Sequence, residues 1–229
     1  MAENQEMRKY FFEKDFSEFQ SYVEGFKVTK KHYPVGAVIS SQAETLNNGY
    51  FIVNGIMKLS IGTVEEKEKT LCLFGRGSIF PLGINEHHYP LEYAITETAL
   101  TDLEAYEFEF MELRRMFLNN SELALRMVEH YCDLVSFLFY EIASVAANDS
   151  IDKVANILYE LVSKKVFPNG VIPLSQAEIA ALVGVSKIQV ARAYACLKGQ
   201  GILRTSRNSL AITDLPALKK FCSLDYTEF

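Results

Sequence analysis

The most regular feature of the chain is a spacing of apolar residues near its middle. Leu125, Val128, Cys132, Val135, Phe139, Ile142 and Ala146 recur at alternating intervals of 3 and 4, the pattern that keeps one seam of a helix turned toward one partner. Leu123, Met127, Leu134, Leu138 and Val145 form a second apolar stripe beside the first. A helix with two apolar stripes must bury both. The segment is therefore predicted to be a long helix that packs the second stripe on its own domain and the seam on a twin helix in a homodimer. Asn148, Asp149 and Ser150 interrupt the pattern, because such side chains compete for backbone hydrogen bonds. Asp149 or Ser150 is expected to N-cap a new helix over residues 151–165, and a domain boundary and hinge are expected at this break.

Upstream, from about Lys27 to Phe110, the pattern changes to short β-type runs separated by turns. The run Phe51–Ile61 is broken by Asn54-Gly55, a strong tight-turn pair. Thr70–Phe74 is followed by Gly75-Arg76-Gly77-Ser78, and Ala99–Phe108 alternates over part of its length as a half-buried strand would. Many short strands at this spacing predict an antiparallel barrel or sandwich.

Downstream the spacing returns to helix, in two short pieces. Ser175 with Glu178, and Ser186 with Gln189, are capping-box pairs that each open a helix. Gly184 stands between them where a left-handed turn residue is needed. Ile179, Val183, Val185, Val190 and Leu197 fall at inward positions. Two short helices joined by a tight glycine turn form a helix-turn-helix. The second helix then presents Lys187, Ile188, Gln189 and Arg192 outward. Lysine and arginine suit guanine or phosphate, glutamine suits adenine and isoleucine suits a thymine methyl. Gln189 has a competing task as the partner of Ser186. Residues 201–205 and 210–213 read as a two-stranded wing around Arg207-Asn208-Ser209, with Arg204 and Arg207 available for phosphates. Ser175 and Gln176, at the mouth of the first helix, complete the DNA-binding set.

Composition changes this picture in two places. The 229 residues carry a net charge of −6, which looks unsuited to DNA. Residues 150–214, however, hold 8 Lys/Arg against 4 Asp/Glu, leaving 15 against 25 elsewhere. Screening makes nearby charges count most, so a basic module on an acidic body can still hold phosphates. Cys72, Cys132, Cys196 and Cys222 are far apart, unlike the clustered thiolates of zinc or iron–sulfur sites. With no secretory signal at the start and no apolar run long enough for a membrane helix, the expectation is a soluble cytoplasmic protein with no membrane partner.

The chain resembles the CRP/FNR superfamily of bacterial transcription regulators. The resemblance rests on Tyr33-Pro34-Val35-Gly36, Glu44-Thr45-Leu46, Phe51-Ile52-Val53-Asn54-Gly55, Gly75-Arg76-Gly77-Ser78, the long helix, and the run from Leu174 through Leu197. It implies an α+β fold: an N-terminal cupin-like β-roll of antiparallel strands (1–120), a central dimerisation helix (121–148) and a C-terminal winged helix-turn-helix (149–229). It also implies a homodimer on a two-fold-symmetric site in double-stranded DNA, RNA polymerase as a partner, and a small-molecule effector.

The departures from the family pattern bear on the effector. Nucleotide-binding members carry Gly-Glu and Arg-Ser pairs where this chain has Pro81-Leu82 and Leu91-Glu92, and polar contacts to the purine where it has Leu138 and Phe139. Without the arginine, and with Glu92 repelling a phosphate, cyclic AMP is not the expected effector. Residues 1–30 lack cysteine, against an iron–sulfur cluster. Haem is a minor alternative, with His87, His88 or His130 as ligand. Loose similarity to the branch that senses halogenated aromatic acids points to an aromatic or apolar molecule, held by Phe80, Leu82, Tyr89, Tyr93, Tyr131, Leu134 and Leu138. That branch's anchoring lysines are Leu82 and Leu134 here. A regulator that binds DNA without any ligand stays open. A metal-dependent cupin enzyme is set aside: adjacent His87 and His88 would point to opposite faces of a strand, far in sequence from His32 and His130.

Overall fold

The structure is a computed structural model, and it describes residues 10–41, 48–62, 68–80 and 94–223. Two compact units divide the chain. One is Phe12–Ser136; the other takes the residues before it, with Tyr10 and Phe11 described, together with Phe137 onward.

The first unit is built from short strands and three helices. In order these are β1 (Phe11–Phe12), α1 (Gln20–Glu24), β2 (Thr29–Tyr33), β3 (Val38–Ser41), β4 (Asn48–Asn54), β5 (Met57–Gly62), β6 (Glu68–Phe74), β7 (Ile79–Phe80), β8 (Ala94–Ala99), β9 (Leu103–Glu109), α2 (Phe110–Asn119) and the long α3 (Ser121–Ala147). They form a five-stranded sheet ordered β1-β6-β5-β8-β3 and a four-stranded sheet ordered β2-β9-β4-β7. The β2–β9, β9–β4, β4–β7, β6–β5, β5–β8 and β8–β3 pairings are antiparallel, so the predicted antiparallel β class is what forms. Phe51, Ile79 and Phe108 from the second sheet pack with Phe16, Phe19, Val23, Leu113, Met116, Leu123 and Met127, which makes the core beneath the helices.

One local expectation is narrowed. Asn54-Gly55 turns the chain as expected, but the strands on either side of it do not pair with each other: β4 pairs with β9 and β7 while β5 pairs with β6 and β8. Gly55 has φ 91° and lies so close to the Asp102 carbonyl that a Cβ would clash with it. The dipeptide supplies a sharp reversal, and long-range pairing uses it as a corner between sheets.

The second apolar stripe of α3 is also corrected. Leu123 and Met127 are buried, but Leu138 (49% exposed) and Val145 (75%) are not. The inward face runs instead through Leu123, Met127, His130, Phe137, Tyr140 and Ser144. Polar His130 and Ser144 disguise this face in the sequence. His130 is accommodated because Asp15 Oδ2 lies 3.1 Å from its Nδ1 and the rings of Phe12, Phe16 and Phe74 surround it.

The second unit continues through α4 (Ser150–Ser163), β10 (Val171–Ile172), α5 (Gln176–Val183), α6 (Lys187–Gly199), β11 (Leu203–Ser206), β12 (Ser209–Ile212) and α7 (Leu215–Lys219). The break after α3 forms where it was expected: Asp149 caps α4, its side chain accepting from the Ile151 and Asp152 N–H groups. The division between units nevertheless falls inside α3 rather than at this break. Phe137 and Tyr140 pack edge-on against Tyr10, and Asn156 of α4 donates to the Tyr140 hydroxyl at 2.8 Å. The end of α3 is thereby tied into the second unit.

Candidate nucleic-acid interface

Each helix of the C-terminal pair starts on a closed capping box. The Glu178 N–H donates to Ser175 Oγ (3.3 Å) and the Ser175 N–H donates to Glu178 Oε2 (2.7 Å). The Gln189 N–H donates to Ser186 Oγ (3.3 Å), and the Ser186 N–H donates to Gln189 Oε1 (2.8 Å). Between the helices, Gly184 takes the left-handed conformation at φ 66°, ψ 37°, which a residue with a Cβ adopts only at a cost. The chain turns through 107° from α5 to α6, within the range of a helix-turn-helix.

The angle is held by a small apolar core. Ile179, Val183, Val190 and Leu197 are buried as predicted, while Val185 is only half-buried. Leu182, Ala193 and Tyr194 are buried too, and sequence reasoning missed them. Ala193 resembles any helical surface residue by type, and Leu182 lies in an apolar run, residues 179–183, where spacing does not single out one face. Tyr194 brings a hydroxyl that has no hydrogen-bond partner among the described residues, and burial pushes its phenol pKa up.

The residues predicted to face DNA lie on the outer face of α6. Lys187, Gln189 and Arg192 are exposed, and Ile188 is 67% exposed. Ala191, Ala195 and Cys196 share that exposure, a short smooth strip that would let a helix sit close to base edges. Ser175 and Gln176 are half-buried at the start of α5.

Beside the helices stands a sheet ordered β10-β12-β11. The sequence suggested two strands; β10 is the third, too short for any alternation to register. Arg204 lies on β11 and Arg207 in the turn after it, both exposed, and Asn208 takes the left-handed φ of 55° at the tip. Among the described residues, no carboxylate pairs with Lys187, Arg192, Arg204 or Arg207. Four unneutralised cations on one helix and one wing suit a polyanion.

The seam of α3 lies open in the single chain. Leu125 (59%), Val128 (57%), Val135 (47%), Phe139 (67%) and Ile142 (69%) are exposed large apolar residues, and Cys132 and Ala146 are exposed with them. A run of uncovered apolar side chains on one face is unusual for a finished surface.

The residues suggested for an effector differ in burial where they are described. Phe80 is buried and packs against Phe74 with ring centroids 5.4 Å apart. Tyr131 and Leu134 are half-buried, and Leu138 is exposed. Leu82, Tyr89 and Tyr93 lie outside the described residues, as do His87, His88, the Pro81-Leu82 and Leu91-Glu92 pairs, and Glu44-Thr45-Leu46. Among the described residues, no cluster of three His, Cys, Asp or Glu side chains is placed to hold a metal ion.

A winged helix-turn-helix with an open cationic recognition helix defines a DNA-binding protein. Residues 152–221 match the Crp-like helix-turn-helix domain. The cAMP-activated global transcriptional regulator CRP of Salmonella typhimurium is 23% identical over 185 residues, 79% of this chain and 87% of its own. Among solved structures, FixK2 from Bradyrhizobium japonicum superposes with a TM-score of 0.73 at 16% identity, covering 86% of this chain and 98% of that one. A complex of CprK with OCPA gives 0.63 at 24% identity, covering 89% and 92%. Residues 152–221 thus carry a Crp-like helix-turn-helix domain, and the chain is similar over most of its length to CRP-type transcriptional regulators.

Proposed function

We propose that two copies of this chain pair through the open seam of α3 and grip a two-fold-symmetric operator, each setting α6 into a major groove one duplex turn apart. The outward row Lys187, Ile188, Gln189 and Arg192 carries this reading. The twin helix is the natural occupant of the seam, because the 3-and-4 spacing repeats a face that an identical helix complements. Arg204 and Arg207 serve as phosphate contacts on the wing. Ile188 favours A·T pairs through the thymine methyl. The regulator works in the cytoplasm, with RNA polymerase as its further partner.

The effector is a non-nucleotide small molecule with an aromatic or apolar body. Leu138 and Phe139 stand where the family's purine contacts would be polar, and calorimetry should find no tight binding of cyclic AMP. The effector acts by population shift, favouring the arrangement in which both α6 helices match the operator. A coupling of about 1–3 kcal/mol is enough for a useful switch.

Selection from random duplex DNA, together with light scattering of the free protein, tests the reading. A palindromic consensus and a dimer mass are expected; a monomer that selects no sequence overturns it.

A further inference from the structure

Glutamine on a recognition helix is ordinarily an adenine reader, because its amide offers one acceptor and one donor to the N6 and N7 edge. Gln189 is not free to do this. Its Oε1 accepts from the Ser186 N–H at 2.8 Å and from the Ser186 hydroxyl at 2.9 Å. A carbonyl oxygen has two lone pairs, and both are taken by the N-cap. The Gln189 N–H, donating back to Ser186 Oγ, completes the box and holds the side chain at the head of α6. Among the described residues no acceptor meets the amide nitrogen Nε2, and Gln189 is exposed. The cap has consumed the half of the amide that would recognise adenine and left the half that donates.

We propose that Gln189 reads DNA as a donor only. Its Nε2 gives hydrogen bonds to an acceptor, either guanine O6/N7 or thymine O4 at a base edge or a phosphate oxygen, and it does not form the two-bond pair with adenine. This rests on α6 being the DNA-facing helix. Ser186 becomes a positioning residue: without its hydroxyl and backbone N–H, the amide would be free to rotate back to the adenine geometry.

Two variants separate the roles. Gln189→Glu keeps an acceptor for Ser186, indeed the usual capping-box side chain, while removing the donor. Gln189→Met removes the donor without adding a charge. Affinity for the selected operator and for random DNA is measured with each, beside the melting temperature. The expected result is an unchanged or higher melting temperature for Gln189→Glu, with about a tenfold loss of operator affinity in both variants. Loss confined to operators with G or T at one position identifies a base edge; equal loss on random DNA identifies a phosphate. Wild-type affinity in Gln189→Met overturns the donor role. So does a wild-type preference for adenine over guanine that disappears in both variants. A wild type that selects no sequence and binds no DNA overturns the reading of α6 itself, and this role with it.

Discussion

The Tyr10 N–H donates to the carboxylate of Glu160, at 3.1 and 3.2 Å to its two oxygens, across 150 residues of chain. The Phe11 N–H joins it at 3.2 Å and Lys164 Nζ at 2.8 Å. The Tyr10 hydroxyl donates to Glu141 at 2.8 Å. Glu160 is 2% exposed, so this acid on α4 anchors an N-terminal strap to the C-terminal unit. Burying a carboxylate is tolerable only with such a set of donors.

Glu160→Ala should therefore be among the most damaging substitutions outside the apolar core. It strands two backbone N–H groups and a lysine, at a cost of about 3–5 kcal/mol. Urea denaturation should show the unfolding free energy falling by that amount, with the midpoint lowered in proportion. Glu160→Gln, which keeps one acceptor oxygen, should fall between wild type and alanine. An alanine variant as stable as wild type would refute the anchor.

A second buried acid sets a pH dependence. Glu97 is 1% exposed and accepts a hydrogen bond from the Ser40 hydroxyl. Burial pushes its carboxyl up to about 7, against a modest lowering by Ser40. The folded state therefore holds this proton more tightly than the unfolded chain, whose carboxyl titrates near its ordinary value. Between about pH 4.5 and 7 the native state binds more protons, so this group's contribution to stability falls as pH rises and levels off above 7. The loss is on the order of 3 kcal/mol. Glu97→Gln should remove that slope, as denaturation at pH 5 and pH 8 would reveal; an unchanged slope counts against it.

Pairing through α3 predicts a sharp response to one charge. Phe139→Glu puts a carboxylate at the centre of the seam, where a twin would bring a second like charge beside it. Light scattering should report a monomer, with operator affinity reduced by at least about tenfold because two half-sites no longer bind together. The circular dichroism of the monomer should be nearly unchanged, since Phe139 is 67% exposed within one chain. A variant that stays dimeric would place the interface elsewhere.

Arg192 should behave as a base reader. Arg192→Ala is expected to weaken specific binding by about 1–3 kcal/mol and to relax selection at one base pair. Equal loss on operator and random DNA would mark Arg192 as a phosphate contact instead.

Much of the reading module was visible in residue order because its signals are local. A capping box spans four residues, and a left-handed glycine needs only its immediate neighbours, so Ser175, Gly184 and Ser186 announced both helices and the turn. The seam of α3 was equally plain, since helical periodicity depends on spacing alone. The other face of α3 was misread where burial overrides residue type: His130 is inside because Asp15 and three phenylalanine rings meet it there, and no spacing reveals that.

The helix-turn-helix shows the same division at the scale of one side chain. Local order sufficed for the capped helices, the turn between them and the outward row on α6, because these follow from propensity and periodicity over a few residues. Three-dimensional packing decided the rest: the corner at Gly55 between two sheets, the third strand of the wing, the anchoring of Tyr10 by Glu160, and the direction in which the Gln189 amide points. Each depends on groups brought together across the chain or on which lone pairs are already spent, and distance and hydrogen-bond occupancy exist only once the chain has folded.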